Sequence, residues 1–381
     1  MHIAFLTPEY PISICNSTGG LGTSIKNMAE ALISQGIEVS IILYGQELDK
    51  EFEENGIEFY IIKQRKYKVG GWYFYRKHLE TRVNSFVSRY KIDLIEAPDW
   101  TGITAFMKLK CPLIIRMNGS DGYFCSLDGR KQKFKNQFFE KLALKSADRI
   151  ISVSDFTGRK TMEIFGLDKE YSVIPNSISI DDFTPSARPP EASRILYFGT
   201  LIRKKGVLEL AHIFNEVIKK EPLAELVLVG KDVKDIFEHR STLEIFKSLL
   251  HTKALSNIHY LGSVDYSVIQ NELSEASVVV LPSFAEALPM TWLEAMAMEK
   301  PLVTSNIGWA NEVMIDGITG FTVDPMNHIL YADRIISLLN DRNLAINMGK
   351  EARKRVIQAF SSSLIAGKNI SYYKQTIKSL A

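Results

Sequence analysis

The sequence predicts an α/β protein of two domains, each a doubly wound, Rossmann-like parallel sheet with helices on both faces. Three observations lead to this fold class. The chain has 381 residues, which is long for one domain and ordinary for two. Short apolar runs alternate with longer helical patterns, the order typical of a parallel sheet. A polar, proline-rich segment at residues 181–193 divides this series near its middle.

Seven short apolar runs predict the strands of the first half. They lie at Ile3–Thr7, Val39–Leu43, Ile57–Ile62, Asp93–Glu96, Leu113–Met117, Arg149–Val153 and Tyr171–Ile174. Helical patterns fall between them at Leu21–Gln35, Tyr73–Tyr90, Gln132–Lys145 and Asp155–Phe165. Residues 1–185 are therefore assigned to an N-terminal domain.

The second half repeats the alternation after a linker at residues 186–193. Its strands are predicted at Arg194–Phe198, Glu225–Val229, Ile258–Leu261, Ser277–Leu281, Leu302–Thr304 and Gly320–Val323. Two helical patterns close the C-terminal domain, which spans residues 194–360, and a last one occupies residues 361–381. Two doubly wound domains are expected to bind ligands in the cleft that faces the carboxyl ends of both sheets.

Bulk composition excludes several classes of function. Apolar residues make up 46% and charged residues 24%, as in ordinary globular proteins. The net charge of +2 argues against a nucleic-acid binder that depends on bulk charge. Three cysteines without a C-x-x-C spacing fit a reducing compartment and predict no zinc site. No secretory signal or membrane-spanning run is evident, so a cytoplasmic location is expected.

The segment from Ser283 to Val303 carries the strongest functional signal. Pro289 is suited to a first helical turn, and an apolar, buried helix is predicted at Met290–Met298. That helix contains Glu294, a carboxylate that is costly to bury alone, and Glu286 precedes it by eight positions. Two carboxylates around a helix N-terminus form a polar cup suited to hydroxyls and phosphates. The alternative is a buried glutamate satisfied by backbone and a surface glutamate in a loop.

The motif Glu-Ala-Leu-Pro-x4-Glu-Ala-Met-Ala-x3-Pro-Leu-Val, residues 286–303, resembles the paired glutamates of the retaining glycosyltransferases of the GT-B fold. The family is the "group 1" set, which includes glycogen synthases and sucrose-phosphate synthases. The resemblance implies that Glu286 contacts the donor sugar and that Glu294 holds the ribose hydroxyls. It places Ala287 and Leu288 in the donor site as well, and it implies that the final helix packs back onto the first domain.

A glycine loop, Thr18-Gly-Gly-Leu-Gly22, follows the first predicted strand and opens a helix. Glycines there let backbone N–H groups approach a phosphate, although a plain turn has the same composition. A nicotinamide fingerprint fits poorly, because the preceding loop is too long and the second strand lacks a following acidic residue. The resemblance implies that Gly19 and Gly20 contact the donor diphosphate across the cleft.

Three cations, Arg203-Lys-Lys205, follow the first strand of the second half. They form either a diphosphate-binding loop or a solvated basic loop. The family carries an arginine and a lysine here that grip the diphosphate, and Lys205 matches the lysine. Thr200 stands where the arginine is expected, so Arg203 is the candidate replacement for its charge.

Weaker candidates complete the predicted site. Asn118 stands where many relatives carry histidine near the reacting sugar; it can hydrogen-bond a sugar hydroxyl but cannot act as a general base. An Asn–Gly turn is the alternative. Asp121 is a further polar candidate for the acceptor region. By family position, Gly230 and the segment 262–264 lie near the nucleotide base, where ordinary turns are the alternative.

Residues 63–77 mix six cations with five aromatic side chains. That composition suggests peripheral contact with anionic lipid or a lipid-linked acceptor; a solvated loop leading into a helix is the alternative. Acceptor-binding loops are expected at residues 10–17 and 123–131.

The resemblance implies a retaining hexosyltransferase that needs no cofactor and no metal ion. Basic side chains and helix N-termini would stabilise the leaving diphosphate. Its donor would be a UDP-sugar or, second, a GDP-sugar, and its acceptor a glycan, a lipid-linked molecule or a small molecule in bacterial polysaccharide or glycoconjugate synthesis. A nucleotide-sugar epimerase of the same fold and a catalytically impaired nucleotide-sugar-binding protein are the alternatives.

Overall fold

The computed structural model describes residues 1–15, 19–186 and 190–380. Thr18, residues 16 and 17 of the predicted acceptor loop, and residues 187–189 of the predicted linker lie outside this range. The chain divides into two compact units. Unit 1 contains Met1–Ile178 together with Ser361–Ala381, and unit 2 contains Ser179–Phe360. The division after Ile178 precedes the boundary at residue 185 that the sequence suggested.

Unit 1 is built on an eight-stranded sheet of order β3-β4-β2-β1-β5-β6-β7-β8. All neighbours pair in parallel except β3 and β4. The strands are β1 His2–Thr7, β2 Glu38–Gln46, β3 Lys50–Glu54, β4 Ile57–Lys63, β5 Leu94–Pro98, β6 Leu113–Met117, β7 Arg149–Ser152 and β8 Ser172–Val173. The helices are α1 Gly20–Ser34, α2 Gly71–Tyr90, α3 Asp121–Leu127, α4 Phe134–Ser146, α5 Asp155–Phe165 and α14 Ser362–Leu380, with a 3-10 turn at Trp100–Gly102.

Helices cover both faces of this sheet, which explains why its central strands read as continuous apolar runs. All six residues of β1 are buried. Alternate side chains along the strands enter two separate cores. One core contains Leu79 of α2 and Leu144 of α4, and the other contains Ile25 of α1 and Tyr373 of α14. Helix α14 is thus part of the unit formed by the first 178 residues.

A buried polar network ties α14 to the sheet. The Arg116 guanidinium donates to both carboxylate oxygens of Glu96, at 2.6 and 3.0 Å, and also to the side-chain oxygen of Asn369 on α14. The Tyr373 hydroxyl donates to Glu96 at 2.6 Å. These four side chains are all buried, so two residues of α14 complete an ion pair that β5 and β6 begin.

Unit 2 is a six-stranded parallel sheet of order β11-β10-β9-β12-β13-β14. Its strands are β9 Arg194–Phe198, β10 Glu225–Val229, β11 Ile258–Gly262, β12 Val278–Leu281, β13 Leu302–Ser305 and β14 Phe321–Val323. Its helices are α6 Val207–Lys220, α7 Thr242–Ser248, α8 Thr252–Leu255, α9 Tyr266–Glu275, α10 Met290–Ala297, α11 Ala310–Val313, α12 His328–Asn340 and α13 Arg342–Phe360, with a 3-10 turn at Arg203–Lys205.

The predicted fold class is confirmed, and every predicted strand is present with ends that differ by a few residues. In unit 1, strand β3 and helix α3 were not predicted. Strand β3 pairs antiparallel with β4 at the sheet edge, where only Phe52 among its five residues is partly buried, so it lacks an apolar pattern. Helix α3 is a seven-residue helix after β6, and it includes residues 123–127 of the segment where an acceptor-binding loop was expected. None of the described helices is long and apolar enough to cross a membrane.

Candidate active site

In unit 2 the strand order reverses between β9 and β12, because β10 and β11 lie on one side of β9 and β13 and β14 lie beyond β12. The loops after β9 and β12 therefore open a crevice at the carboxyl edge of the sheet, the usual ligand site of such folds. Lys205 comes from the first loop and Glu286 from the second. The topology itself brings these two predicted residues together.

The loop after β9 contains one position, Gly206, whose backbone conformation and close packing require glycine. Gly206 has φ +70°, and a Cβ atom placed there would lie 1.9 Å from the carbonyl oxygen of Pro282. This close approach lets the turn at Arg203–Lys205 press against the loop after β12. The Lys204 carbonyl accepts the N–H of Phe284 at 2.8 Å. The two loops are thus joined by backbone as well as by side chains.

Lys205 and Glu286 form an ion pair at this junction. The Glu286 carboxylate is largely buried, whereas the Lys205 side chain keeps 25% of its surface exposed. Ala287 and Leu288, the next two residues of the loop, are buried as well. The half-buried Lys205 ammonium and the buried Glu286 carboxylate thus place a cationic hydrogen-bond donor and an acceptor side by side at the crevice.

Glu294 lies one and a half turns inside α10, which begins directly after Pro289. Its side chain is buried, and burial raises the pKa of its carboxyl to about 7, against lowering contributions from the Tyr266 hydrogen bond and the charge of Lys205. The Tyr266 hydroxyl at the start of α9 hydrogen-bonds this carboxylate. The Glu294 carboxyl therefore changes its protonation state near neutral pH, and the charge of Lys205 acts on it.

Arg203, the candidate replacement for the missing arginine, is engaged elsewhere in the structure. Its guanidinium donates to both carboxylate oxygens of Asp235, at 2.8 and 3.1 Å, and to Glu238 at 3.3 Å. The hydrogen bond from Arg203 holds the pKa of the buried Asp235 at about 2. Thr200, at the family's arginine position, is exposed. The two carboxylates neutralise the charge that Arg203 was expected to offer.

Gly230 directly follows β10 and packs against the turn that follows β9. It has φ +143°, and a Cβ atom there would lie 2.0 Å from the carbonyl oxygen of Gly199. Its N–H donates to Gly262, and its carbonyl accepts from the Tyr260 hydroxyl at 3.0 Å. Glycine at 230 allows the turns after β9 and β10 to cross in contact, which brings the loop after β9 close to the segment at 262–264.

In unit 1 the order reverses between β1 and β5, and the predicted glycine pair follows β1. The Glu9 carboxylate accepts the N–H groups of Gly19, at 3.1 Å, and Gly22, at 2.8 Å, at the N-terminus of α1. Gly20 is exposed, with open space where a Cβ would lie. A carboxylate thus occupies the anion-binding helix terminus that was predicted to meet the diphosphate.

Asn118 follows β6 beside a second buried acid. Its backbone N–H donates to Asp99, at 3.1 Å, and burial together with the charge of Glu140 raises the pKa of Asp99 to about 8. The Asn118 side-chain oxygen has no hydrogen-bond partner within the described part of the chain. Glu140 accepts the N–H groups of Asp121 and Gly122, at 3.2 and 3.0 Å, so it fixes the start of α3 next to Asn118.

Sequence reasoning missed three residues of these sites: Glu9, Asp99 and Tyr266. Each lies in a loop or first helical turn after a predicted strand, and this position is the signal that could have identified it. The glycine or carboxylate that each of these loops contacts depends on the order of the strands in the sheet, which the sequence pattern does not give. Within residues 1–15, 19–186 and 190–380, no group of three or more His, Cys, Asp or Glu side chains is arranged to hold a metal ion.

Comparison with known proteins shows which families and folds the chain resembles. The model for glycosyl transferases group 1 matches residues 180–355, and that for glycosyltransferase family 4 matches residues 18–182. An uncharacterized glycosyltransferase of Methanocaldococcus jannaschii is 26% identical over 98% of both chains. Sucrose-phosphate synthase from Thermosynechococcus elongatus superposes with a TM-score of 0.81 at 20% identity, over 99% of both chains.

A further solved structure, Anabaena HepE in complex with UDP and glucose, superposes with a TM-score of 0.74 at 18% identity. It covers 98% of this chain and 100% of its own. Together the two family models extend over both parallel sheets, and the fold is that of the GT-B structures. Residues 180–355 thus match the group 1 glycosyltransferases and residues 18–182 the glycosyltransferase family 4, and the two matches together identify the chain as a glycosyltransferase.

Proposed function

We propose that this glycosyltransferase is a retaining, metal-independent enzyme that transfers a hexose from a nucleotide sugar to an acceptor hydroxyl. The observation that carries the proposal is the Lys205–Glu286 ion pair at the β9/β12 crevice, with Glu294 buried behind it. One site thus holds a cation for a diphosphate and two carboxylates for sugar and ribose hydroxyls. This is the arrangement that the family resemblance implies.

In this proposal Lys205 stabilises the charge that develops on the leaving diphosphate, and the N-terminus of α10 adds to that positive field. Glu286 accepts hydrogen bonds from hydroxyls of the donor sugar and fixes its orientation. The acceptor hydroxyl attacks the anomeric carbon from the face that the diphosphate leaves, and a departing phosphate oxygen takes the hydroxyl proton. The glycosidic bond forms as the sugar–phosphate bond breaks, so the configuration at the anomeric carbon is retained.

Glu294 is assigned to the ribose, because a carboxylate accepts hydrogen bonds from two neighbouring hydroxyls. Asn118 in unit 1 is retained as a sugar-contacting candidate, since its side-chain oxygen has no partner among the described residues. Arg203 is reassigned from a diphosphate contact to a positioning residue, because Asp235 and Glu238 hold its guanidinium.

We propose UDP as the nucleotide, with GDP second, on the strength of the UDP bound in the structurally similar Anabaena HepE. The acceptor is proposed to be a glycan, a lipid-linked molecule or a small molecule in polysaccharide or glycoconjugate assembly.

Thermal-shift titration against UDP-, GDP- and ADP-sugars, with and without EDTA, tests the donor site, because a ligand of the native state raises the melting temperature. We expect a UDP-sugar to give a shift that survives EDTA and is reduced in Glu294→Gln. The matched control is Glu351→Gln, which alters an exposed glutamate on α13. A shift of equal size in both variants would contradict the assignment of Glu294.

The proposed retention of configuration is tested on the product of the reaction. NMR of the glycoside formed from an α-linked UDP-sugar should give an α-anomer. A β-linked product would overturn the retaining mechanism while leaving the donor site intact. Consumption of the nucleotide sugar without acceptor, giving an epimer, would instead favour an isomerase.

A further inference from the structure

We propose that unit 1 binds the surface of a bilayer that contains anionic lipid, through a face formed by the start of α2 and the outer side of α4. We call this surface the aromatic–basic face. Its apolar members are Tyr67, Val69, Trp72, Phe74, Phe134 and Phe138. The inference is independent of the donor site, because every residue of the face lies in unit 1 and the β9/β12 crevice lies in unit 2.

The apolar side chains of this face are unusually exposed. Phe134 is 82% exposed and Val69 81%, and Phe74 and Phe138 each show about half of their surface to solvent, at 50% and 48%. Single exposed apolar residues are common in globular proteins, but a connected group of large ones marks an interaction surface.

Ring contacts connect the two segments across a gap in sequence. Tyr67 lies 5.8 Å from Phe74, and Tyr73 lies 5.7 Å from Phe74 and 5.6 Å from Phe106. Phe106 in turn lies 6.2 Å from Phe138 on α4. The face is therefore one continuous surface, and not the loop 63–77 alone.

Cations surround these rings. Residues 63–77 contain four exposed cations and no acid, besides the buried Arg76 and a Lys77 that is paired with Glu80. Residues 131–145 contain five lysines and one acid, Glu140. Glu140 is buried and directed to the backbone of α3, so it does not offset the lysines at the surface. Lys131, Lys133 and Lys135 at the start of α4 are all exposed.

Three of the acids near the face are paired with neighbouring cations. Glu80 is paired with Lys77, Asp128 with Arg130 and Glu163 with Lys160. Asp148 is one acid among the residues that line the apolar groove beside α4, which include Phe106, Leu109, Phe138, Leu142 and the cation Lys108. The net field over the face is positive, which complements an anionic bilayer.

Exposed lysines beside exposed apolar side chains favour a membrane over a soluble polyanion as the partner. Nucleic acid or an acidic protein would use the lysines but would leave Phe134 and Val69 in water. At a bilayer surface the lysines meet phosphate headgroups while the aromatic side chains enter the boundary between headgroups and acyl chains. The groove beside α4 extends this hydrocarbon-compatible surface.

Co-sedimentation of the full chain with vesicles of phosphatidylcholine, with and without phosphatidylglycerol, tests the proposal. We expect binding only to the vesicles with phosphatidylglycerol and a decline as salt is raised. Replacing Lys131, Lys133 and Lys135 with glutamate should lower the partition coefficient by at least roughly a hundredfold, since each cation near an anionic surface contributes on the order of fivefold. Val69→Ser with Phe134→Ser should also weaken binding, at every salt concentration.

The controls are exposed residues outside the face: Lys374→Glu on α14 for charge, and Leu223→Ser in unit 2, where Leu223 is 85% exposed, for apolar area. These should bind vesicles like the parent protein. Because all altered side chains are exposed, the variants should keep the parent melting temperature and the parent thermal shift with UDP-sugar.

Absence of sedimentation with either kind of vesicle would overturn the proposal. So would equal binding by the face variants and their controls. If the parent protein instead forms a dimer in size-exclusion chromatography that Phe134→Ser dissociates, the face joins two copies of the chain and the membrane assignment is wrong.

Discussion

The ammonium of Lys205 contacts the carboxylate of Glu286, so the two side chains assigned to the leaving diphosphate and to the sugar are partners of each other in the structure. A bound donor would compete for both members of the pair. The Lys205 side chain is the more exposed of the two and the one that can turn towards a phosphate. A substitution at Lys205 should therefore have two effects: a lower kcat, because the leaving diphosphate loses its cation, and a lower stability, because Glu286 loses its partner.

Lys205→Met should lower kcat about 100- to 1000-fold, the usual effect of removing one group that stabilises charge in a transition state. It also leaves Glu286 without this cation, so the melting temperature should fall, and adding Glu286→Gln should restore part of it. Steady-state kinetics with a UDP-sugar and calorimetry measure the two effects. The neighbouring Lys204→Met is the control, and an equal loss of kcat there would contradict the specific role of Lys205.

Donor affinity should depend on the ionisation of Glu294. Burial raises the pKa of this carboxyl to about 7, so it is mostly protonated at pH 6 and mostly ionised at pH 8. The ionised form accepts more hydrogen bonds, and the affinity for UDP-glucose should rise by up to roughly tenfold over that interval. Isothermal titration calorimetry measures it, with UDP-glucose chosen because its diphosphate does not titrate there. Glu294→Gln should give a flat profile; a slope that persists in this variant would assign the effect to another group.

Tyr266→Phe should move that pH profile. The Tyr266 hydroxyl hydrogen-bonds the Glu294 carboxylate and lowers its pKa, opposing the effect of burial. Without the hydroxyl the pKa of Glu294 should rise, and the midpoint of UDP-glucose binding should shift upward by roughly half a pH unit. Tyr260→Phe removes a hydroxyl that bonds the Gly230 carbonyl instead and should leave the midpoint unchanged. A midpoint that stays in place in both variants would show that Tyr266 does not act on Glu294.

Arg203→Ala should destabilise unit 2 with little effect on nucleotide affinity. The substitution leaves the buried Asp235 without its two-point partner, and we expect a loss of about 1–2 kcal/mol at neutral pH. The pKa of Asp235 is depressed, so its stabilisation is present above its ordinary pKa and is lost as pH falls towards 2; the variant and parent should converge in acid. Urea unfolding at several pH values tests this.

The control for Arg203 is Arg240→Ala, which removes an exposed partner of Glu238 and should cost little. If Arg203→Ala instead weakens UDP-sugar binding by tenfold or more at unchanged stability, Arg203 is a diphosphate contact and the positioning role assigned to it is wrong.

Sequence alone was sufficient for the fold class and for the described strands other than the exposed edge strand β3, because strands such as β1 and β12 are buried on both faces and mostly apolar. It also placed Glu286 and Glu294 on either side of one helix N-terminus, since that relationship is local. Contacts such as Lys205 with Glu286 join residues 81 positions apart and follow from the adjacency of β9 and β12, which periodicity does not encode. The engagement of Arg203 by Asp235 was hidden for the same reason.

The network of Glu96, Arg116, Asn369 and Tyr373 has a consequence for how the protein is made. During synthesis, the ion-paired strands β5 and β6 are made early. Asn369 and Tyr373 of α14, which complete the network, are made only after all of unit 2. Until then a charged pair in the middle of the first sheet lacks part of its hydrogen bonding, and the face that α14 covers stays open. A nascent chain, or one that lacks α14, thus carries an unfinished first unit whose open surface chaperones and proteases can recognise.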